Sequence, residues 1–342
     1  MDRPQVAALI VSGAHLHSSK APTGPAEPCA PIAGLSIHTW MIDAMLRASV
    51  RRIAVIGNAP DPATRTEMEH RADSAVVEFV IRARSNDTEV MADALQRLGP
   101  DLSLLDSSHV IVLGGESPQL EATELRMLID EHVARGASAT ILGPAATDMS
   151  SDEPLIDRDA DGIVRSIVDP MSLPSTNGEI GIFRAPLLVP ALRRVTPRGW
   201  DGPPLVQDAG DTLERSGHPV VRLHRDEPLI AIETMAERAV VEVQLRDRIV
   251  ATWIDRGVFM PDPRAVHIDA RATIGHGVEL CPGTVIEGPS VIADGAVIGP
   301  NSHVVDATIG AGARVPHSVV SGTDVAAHTR LAPFSVLGDL AR

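Results

Sequence analysis

Tyrosine is missing altogether, and lysine occurs once, at Lys20. With only four phenylalanines and three tryptophans, no platform on which nucleobases could stack is visible. The formal net charge of −15 removes the basic surface that a phosphate backbone demands, so nucleic-acid binding is not expected. A small phosphorylated ligand held by a few local donors stays open. Cys29 and Cys281 are the only cysteines and fall in different predicted domains. That argues against a disulfide framework or a cysteine metal cage, and for a reducing, cytoplasmic setting. No apolar run approaches the roughly 20 residues needed to cross a bilayer, so no membrane partner is expected. The opening MDRPQVAALIVSGAH carries too short an apolar stretch for a secretory signal and reads as a first strand. A hydrophobic fraction of 44% excludes disorder, and 342 residues leave room for two domains.

What the chain does have is a period. Ile268, Ile274, Leu280, Ile286, Ile292 and Ile298 recur at every sixth position, and the residue four places after each is small: Ala272, Val278, Thr284, Ser290, Ala296 and Ser302. Six fits neither a helix nor a flat amphipathic strand. It fits a coil of short strands around a narrow prismatic core, a left-handed parallel β-helix of hexapeptide repeats. The phase slips once between Val304 and Ile309, and hexads near Val315, Leu331 and Leu337 are looser. About seventy residues at roughly eighteen per turn predict about four turns.

Upstream, strand and helix alternate. VAALIVSG, RRIAVIGN, HVIVLGG and ASATILG read as buried strands, with helices over 37–48, 89–98 and 119–135. This predicts an α/β domain with a mostly parallel mixed sheet, whose ligands sit beyond the strand C-terminal ends. PLIDRDADGIVRSIVD reads as a hairpin around D-A-D-G, which lacks the later glutamate of a calcium loop. GEIGIFRA and HPVVRLHRD are further strands, and PPLVQDAGDTLERSG is a helix. The charged, apolar-striped segment 233–253 predicts a connecting helix. The expected domains are 1–232 (nucleotidyltransferase-like α/β), 233–256 (connecting helix) and 257–342 (β-helix).

This ordered set resembles the bacterial bifunctional enzyme that makes UDP-N-acetylglucosamine. That family joins an N-acetylglucosamine-1-phosphate uridylyltransferase domain to a β-helix glucosamine-1-phosphate acetyltransferase domain. PIAGLSIHTWMIDAMLRASVRRIAVIGN is similar to its P-L-A-G-K-P-M-x-x-x-V-I-D-A segment and following strand. VIVLGGESPQLEATELRMLIDEHVARGASATIL is similar to its L-Y-G-D-x-P-L strand and helix, GVFMPDPRAVHIDARATIG to its entry into the β-helix, and LAPFSVL to its G-P-F-A-x-L.

The resemblance implies a phosphate-gripping first loop, L-A-A-G-x-G-T-R-M followed by S-x-x-P-K, whose bare backbone and cations hold a triphosphate. The matching stretch here is IVSGAHLHSSKAPTGPAEPC. Gly13 survives and, with Ser12 beside it, is a nucleotide-binding candidate, but His15 stands at the second glycine, Leu16 at the threonine and His17 at the arginine. The P-K step falls among Gly24 to Pro28, with Glu27 an occupant. A Cβ where backbone must meet phosphate is a steric obstacle, and a carboxylate there repels. Lys20 is the candidate for a displaced phosphate contact and equally reads as a solvated loop lysine. The uracil-reading G-T-G-x-A appears as Asn86 to Val90, without its glycines. Gly115 remains as a nucleotide-side candidate. Glu116 stands at the family's metal-binding aspartate, and Glu233 at its second metal residue, an asparagine. Together they are a candidate Mg²⁺ pair, although a glutamate at 233 also suits a helix N-terminus. Glu179 replaces the sugar-site asparagine.

In the family the acetyltransfer residues (His, Tyr, Asn, Lys) lie in coils beyond G-P-F-A-x-L. The residues given end at Arg342, and the coil holds no tyrosine or lysine. His276, His303, His317 and His328 sit at irregular hexad positions and read as rim or turn residues, so acetyl transfer is not expected. Two functions follow. One is a degenerate nucleotidylyltransferase-like protein, a scaffold or regulatory partner that builds a homotrimer or mixed trimer through its β-helix. The other is a rewired Mg²⁺-dependent nucleotidylyltransferase acting on a phosphorylated or phosphonylated small molecule.

Overall fold

The computed structural model describes residues 5–11, 31–57, 65, 66, 68, 71, 75–81, 109–114, 117–144, 155–158, 164–168, 179–194, 206–225, 229, 230, 232 and 235–338. They divide into two compact units, 1–29 with 37–238 and 30–36 with 239–342.

In the first unit the strands β1 (Val6–Val11), β2 (Arg52–Gly57), β3 (Val76–Ile81), β4 (His109–Gly114), β5 (Ala139–Pro144), β8 (Glu179–Arg184) and β9 (Val220–Arg225) form one sheet. Its order is β3-β2-β1-β4-β8-β5-β9. The strand β8 runs antiparallel to both neighbours, and every other pair is parallel. A separate antiparallel pair, β6 (Leu155–Arg158) and β7 (Val164–Val168), is the hairpin read from the sequence. The helices are α1 (Ile37–Arg47), α2 (Ala122–Ala134), α3 (Ala185–Arg194) and α4 (Val206–Arg215). The expected helix over 89–98 lies outside the described residues.

The central strands are apolar throughout because both faces are covered. Ala7, Leu9 and Val11 pack with Val110, Val112 and Phe183 in a cluster completed by α3 and α4. Alternation sends Ala8, Ile10, Ile111 and Leu113 to the opposite face, and all four are buried. The helices α1 and α2 pack on each other and contribute nothing to the first cluster. Gly210 lets α4 sit directly on Ile141 of β5, where a Cβ would overlap the isoleucine side chain.

In the second unit α5 (Met235–Asp255) buries Val241, Leu245, Ile249 and Trp253, one stripe at helical spacing. It stops at Gly257 (φ 89°), where the Val258 N–H reaches back to the Trp253 carbonyl at 3.0 Å. A short 3₁₀ turn, Pro263–Ala265, then leads into the coil. The coil has three parallel faces. The first holds β10 (His267–Ile268), β13 (Val285–Glu287), β16 (His303–Val305), β19 (Val319–Ser321) and β21 (Val336–Gly338). The second holds β11 (Thr273–Ile274), β14 (Val291–Ile292), β17 (Thr308–Ile309) and β20 (Asp324–Val325). The third holds β12 (Glu279–Leu280), β15 (Val297–Ile298) and β18 (Arg314–Val315). This is a parallel β-helix. The six periodic residues are each 6% exposed or less. The slip read near 304–309 appears as a change of register step: His267, Val285 and His303 pair at intervals of 18 residues, but His303 pairs with Val319.

The small positions knit successive turns together. Thr284 Oγ1 donates to the Cys281 carbonyl at 2.7 Å, and Ser302 Oγ donates to the Val315 carbonyl at 2.6 Å. Ser302 Oγ also accepts the Ser318 N–H at 3.2 Å. A small side chain is needed at each corner, and a hydroxyl there satisfies backbone groups that would otherwise be stranded. Asn301, Asp306, His317, His328 and Phe334 take left-handed backbone angles at such corners, so His317 and His328 are turn residues.

Candidate functional site

Strand register aligns three strand ends that flank sequence candidates of the first unit. Val11, the last residue of β1, pairs with Gly114, the last of β4. Gly114 pairs on its other side with Glu179, the first residue of β8. The ends of β1 and β4 and the start of β8 thus lie side by side. Because β8 is antiparallel, its start lies where the parallel strands end. This is the edge at which α/β sheets bind ligands.

A second link ties the segment before Glu233 to the turn after Glu116. The Gln119 side chain is 8% exposed, and its amide meets the Ile230 backbone twice, donating to the carbonyl at 3.2 Å and accepting from the N–H at 3.3 Å. Leu229, Ile230 and Ile232 are buried. Each glutamate thus lies three residues from this bond along its own segment. Gln119 was not among the sequence candidates. Its only signal is its place in GGESPQL, where the resemblance expects a leucine.

Ser12, Gly13, His15, His17, Lys20, the Asn86–Val90 segment, Gly115, Glu116 and Glu233 themselves lie outside the described residues, and of Glu179 only the backbone is described. Among the described residues no group of three or more His, Cys, Asp or Glu side chains could hold a metal ion. Among them, too, no helix is long and apolar enough to cross a membrane.

Two polar clusters escaped sequence reasoning. The first is buried in the α/β unit. His132 of α2 is fully buried, with Nδ1 2.9 Å from Thr140 Oγ1 and Nε2 3.1 Å from His109 Nδ1. Burial chiefly, then His109 and the Arg184 guanidinium, push the His132 pKa down to about 4. Burial and Arg184 lower that of His109. His109 starts β4 and His132 lies in the last turn of α2, neither among the positions singled out from the sequence. The second cluster lines a cleft of about 360 Å³ in the second unit, where Glu242 and Arg246 of α5 face His267, Arg271, Glu287 and Asp306 of the coil. Glu242 and Arg246 are paired at 2.9 Å. Burial and Arg246 hold His267 below the ordinary imidazole range, with Glu242 opposing them.

No protein-family model matches the chain. Curated relatives do. The bifunctional protein GlmU of Streptomyces avermitilis is 28% identical over 298 residues, 83% of this chain and 60% of the relative. That of Desulfitobacterium hafniense Y51 is 29% identical over 238 residues, 67% of this chain and 52% of the relative. That of Geobacillus thermodenitrificans is 27% identical over 322 residues, 91% and 68%. The chain resembles GlmU. It spans between about half and two thirds of the length of these relatives. A solved 4-diphosphocytidyl-2C-methyl-D-erythritol synthase is similar at 16% identity and a TM-score of 0.47, over 71% of this chain and 99% of its own. The GlmU resemblance runs along both units.

Proposed function

We propose that this chain is a degenerate sugar-phosphate nucleotidylyltransferase-like protein that serves as a scaffold or regulatory partner and trimerises through its β-helix. In this reading residues 1–232 are the nucleotidyltransferase-like domain, 233–256 the connecting helix and 257–342 the β-helix. The observation that carries it is the contrast between the sheet edge and the residues that leave it. Val11, Gly114 and Glu179 align in register, so the frame for a nucleotide site is intact. The sequence, however, holds His15 and His17 where a triphosphate grip needs a glycine and an arginine, and Asn86–Val90 where it needs two glycines. Losing one preorganised donor to a developing anion costs roughly a hundredfold or more in rate, and here several are gone.

A second reading has its own support. The Gln119–Ile230 contact ties together the segments of Glu116 and Glu233. Carboxylates are hard oxygen donors suited to Mg²⁺, which would offset charge on the phosphates of a bound nucleotide. Two glutamates without a cation would repel each other. With Lys20, His15 and His17 as replacement cations, the edge would support nucleotidylyl transfer. A phosphate or phosphonate oxygen of a small substrate would bond to the α-phosphorus of an NTP, releasing pyrophosphate.

Thermal-shift titration with each NTP, with and without Mg²⁺, separates the two. The scaffold reading expects no Mg²⁺-dependent shift with any nucleotide, and a trimer by light scattering. A shift with one nucleotide that Lys20→Ala or Glu116→Ala abolishes would reverse the order.

A further inference from the structure

The cleft between α5 and the first coils lies wholly within the second unit, since every residue lining it belongs to 30–36 or 239–342. At about 360 Å³ it falls in the range of small-molecule sites, roughly 300–1,000 Å³. Its walls are fixed. Ile32 and Leu35 exchange backbone hydrogen bonds of 2.7 and 3.2 Å and close a tight turn. The Ala33 N–H of that turn donates to Glu242 Oε1 of α5 at 3.1 Å, and the Ala33 carbonyl accepts the Ala270 N–H of the coil at 2.9 Å. Gly34 lies on the Asp269 carboxylate, where a Cβ would overlap Oδ1. Asp269 in turn accepts the Arg271 guanidinium at 3.0 and 2.7 Å and the Gly288 N–H of the next coil at 3.0 Å. Side chains held in this way are in place before a ligand arrives.

The wall still has bonding capacity to offer. Glu242 Oε1 takes both the Ala33 N–H and Arg246 Nη2, the latter at 2.9 Å. Among the described residues no bond is made by Glu242 Oε2, by Nε or Nη1 of Arg246, or by either ring nitrogen of His267. Burial and Arg246 lower the His267 pKa against the pull of Glu242. The ring is therefore neutral at pH 7, with one nitrogen a donor and the other an acceptor.

Charge then narrows the ligand. Glu242, Asp269, Glu287 and Asp306 outnumber Arg246 and Arg271 in the lining, so a phosphate or carboxylate is repelled. A cation would meet both guanidiniums, and Glu242 and Asp269 are already engaged with them. Among the described residues no cluster could hold a metal ion. Neutral hydroxyls suit what remains, because each can donate to a carboxylate oxygen and accept from a guanidinium or imidazole. Val285 and Val305, half-buried on the neighbouring strands β13 and β16, offer apolar floor to the C–H face of a ring.

We infer that this cleft binds a neutral polyhydroxylated ring, a monosaccharide or cyclitol, through Glu242, Arg246 and His267. The site is built from the second unit alone and depends on neither function proposed above.

Methyl NMR of the full chain, labelled at valine, tests it by titration with D-glucose, D-galactose and myo-inositol into the millimolar range. At least one of the three should shift the Val285 and Val305 methyls saturably and leave Val110 and Val112 of the α/β unit unmoved. Arg246→Met should weaken that binding by about tenfold and His267→Ala by about threefold, the worth of a charge-assisted and a neutral hydrogen bond. Arg135→Ala, at an exposed position in the first unit, should leave it unchanged. Glucose 6-phosphate and glucosamine should both bind more weakly than glucose. No shift of Val285 and Val305 with any of the three neutral probes would overturn the site, as would binding that both cleft variants leave intact. Tighter binding of the phosphorylated or the aminated sugar would overturn the assignment of a neutral ligand. If Arg246→Met fails to fold, His267→Ala, which truncates an exposed side chain, still decides the matter.

Discussion

Acidification should loosen the α/β unit through His132, and the size of the effect follows from its site. The ring is fully buried. It is joined to Thr140 and His109 by bonds of 2.9 and 3.1 Å, and it meets the His109 ring edge-on at 87°. A proton added there would be a cation in the core, beside a second imidazole and near the Arg184 guanidinium, which is itself bound to the Gly136 and Ala137 carbonyls. The folded pKa of about 4 lies below the ordinary 6.5. As pH falls, the unfolded chain therefore takes up the proton first. The contribution is complete above the ordinary value, declines through the interval between the two, and is exhausted below the lower one. At about 1.4 kcal/mol per pKa unit the whole interval is worth on the order of 3 kcal/mol, and roughly 2 kcal/mol is lost by about pH 5. Urea denaturation at a series of pH values from about 8 to about 5 measures it, with His132→Gln as the reference. The variant should be less stable at the alkaline end by about 1–2 kcal/mol, the worth of its lost hydrogen bonds. It should lack the acid-sensitive component, so that the two curves converge toward acid. Other titrating groups are common to both proteins and cancel in the difference. Parallel pH profiles for wild type and variant would refute the argument, as would a His132 ring resonance that titrates near the ordinary imidazole value.

Three further outcomes are expected. Ile298→Ala empties a position that is 0% exposed, stacked in register between Leu280 and Val315, and should cost about 2–5 kcal/mol in chemical denaturation. Ser302→Ala leaves the buried Ser318 N–H without its acceptor and removes one of the two donors to the Val315 carbonyl, which keeps the Gly299 N–H. It should cost about 1–3 kcal/mol, read as a fall in Tm, whereas an exposed control such as Ser335→Ala should change little. Lys20→Ala should leave the thermal-shift profile with every Mg–NTP as flat as that of the wild type, and calorimetric titration of both proteins checks the same point.

The coil was legible because its constraint is local. A residue that must point into a narrow prism recurs at a fixed step, and a corner that must be small follows four places later. The change of step after His303 was visible for the same reason. The strands β1 and β4 were equally plain, since burial on both faces demands unbroken apolar runs. Direction was less so. GEIGIFRA reads as a strand, but nothing in it announces that it runs against its neighbours, and that reversal is what places Glu179 at the edge beside Gly114. The helix α3 went unread because Pro186 and Pro190 interrupt its pattern. Pro190 is tolerated because its missing N–H forfeits only one bond, to the carbonyl of Pro186. The packing of the turn Ile32–Leu35 was hidden altogether. Its partners, Glu242, Asp269 and Ala270, are more than two hundred residues away, and no spacing rule links them to Ile32–Leu35. Of the site, the sequence supplied residue types, and register supplied the alignment of Val11, Gly114 and Glu179.

The contrast between frame and site has an energetic logic. Each buried residue of β1, β4 or the coil is worth a few kcal/mol against a net stability of about 5–15 kcal/mol, so a chain that must fold cannot lose many of them. A glycine in a phosphate loop contributes little to that balance. Replacing it with histidine is nearly free in stability, and is costly only if a triphosphate must be gripped and a leaving group neutralised. A lost donor of that kind costs about 3–4 kcal/mol in the barrier. Folding does not register that loss, and only turnover does. An intact sheet edge is therefore evidence of a demand on structure alone. On the proposed reading the residues that follow in sequence report on the demand for chemistry, and those at 15, 17 and 86–90 no longer meet it. The same reasoning gives Glu116 and Glu233 their diagnostic weight. Paired carboxylates repel unless a cation lies between them, so removing either one without Mg²⁺ should stabilise the protein if the two face each other. It should do nothing if each faces solvent. Comparing the Tm of Glu116→Gln and Glu233→Gln with wild type, with and without Mg²⁺, distinguishes a retained metal pair from two unrelated surface residues.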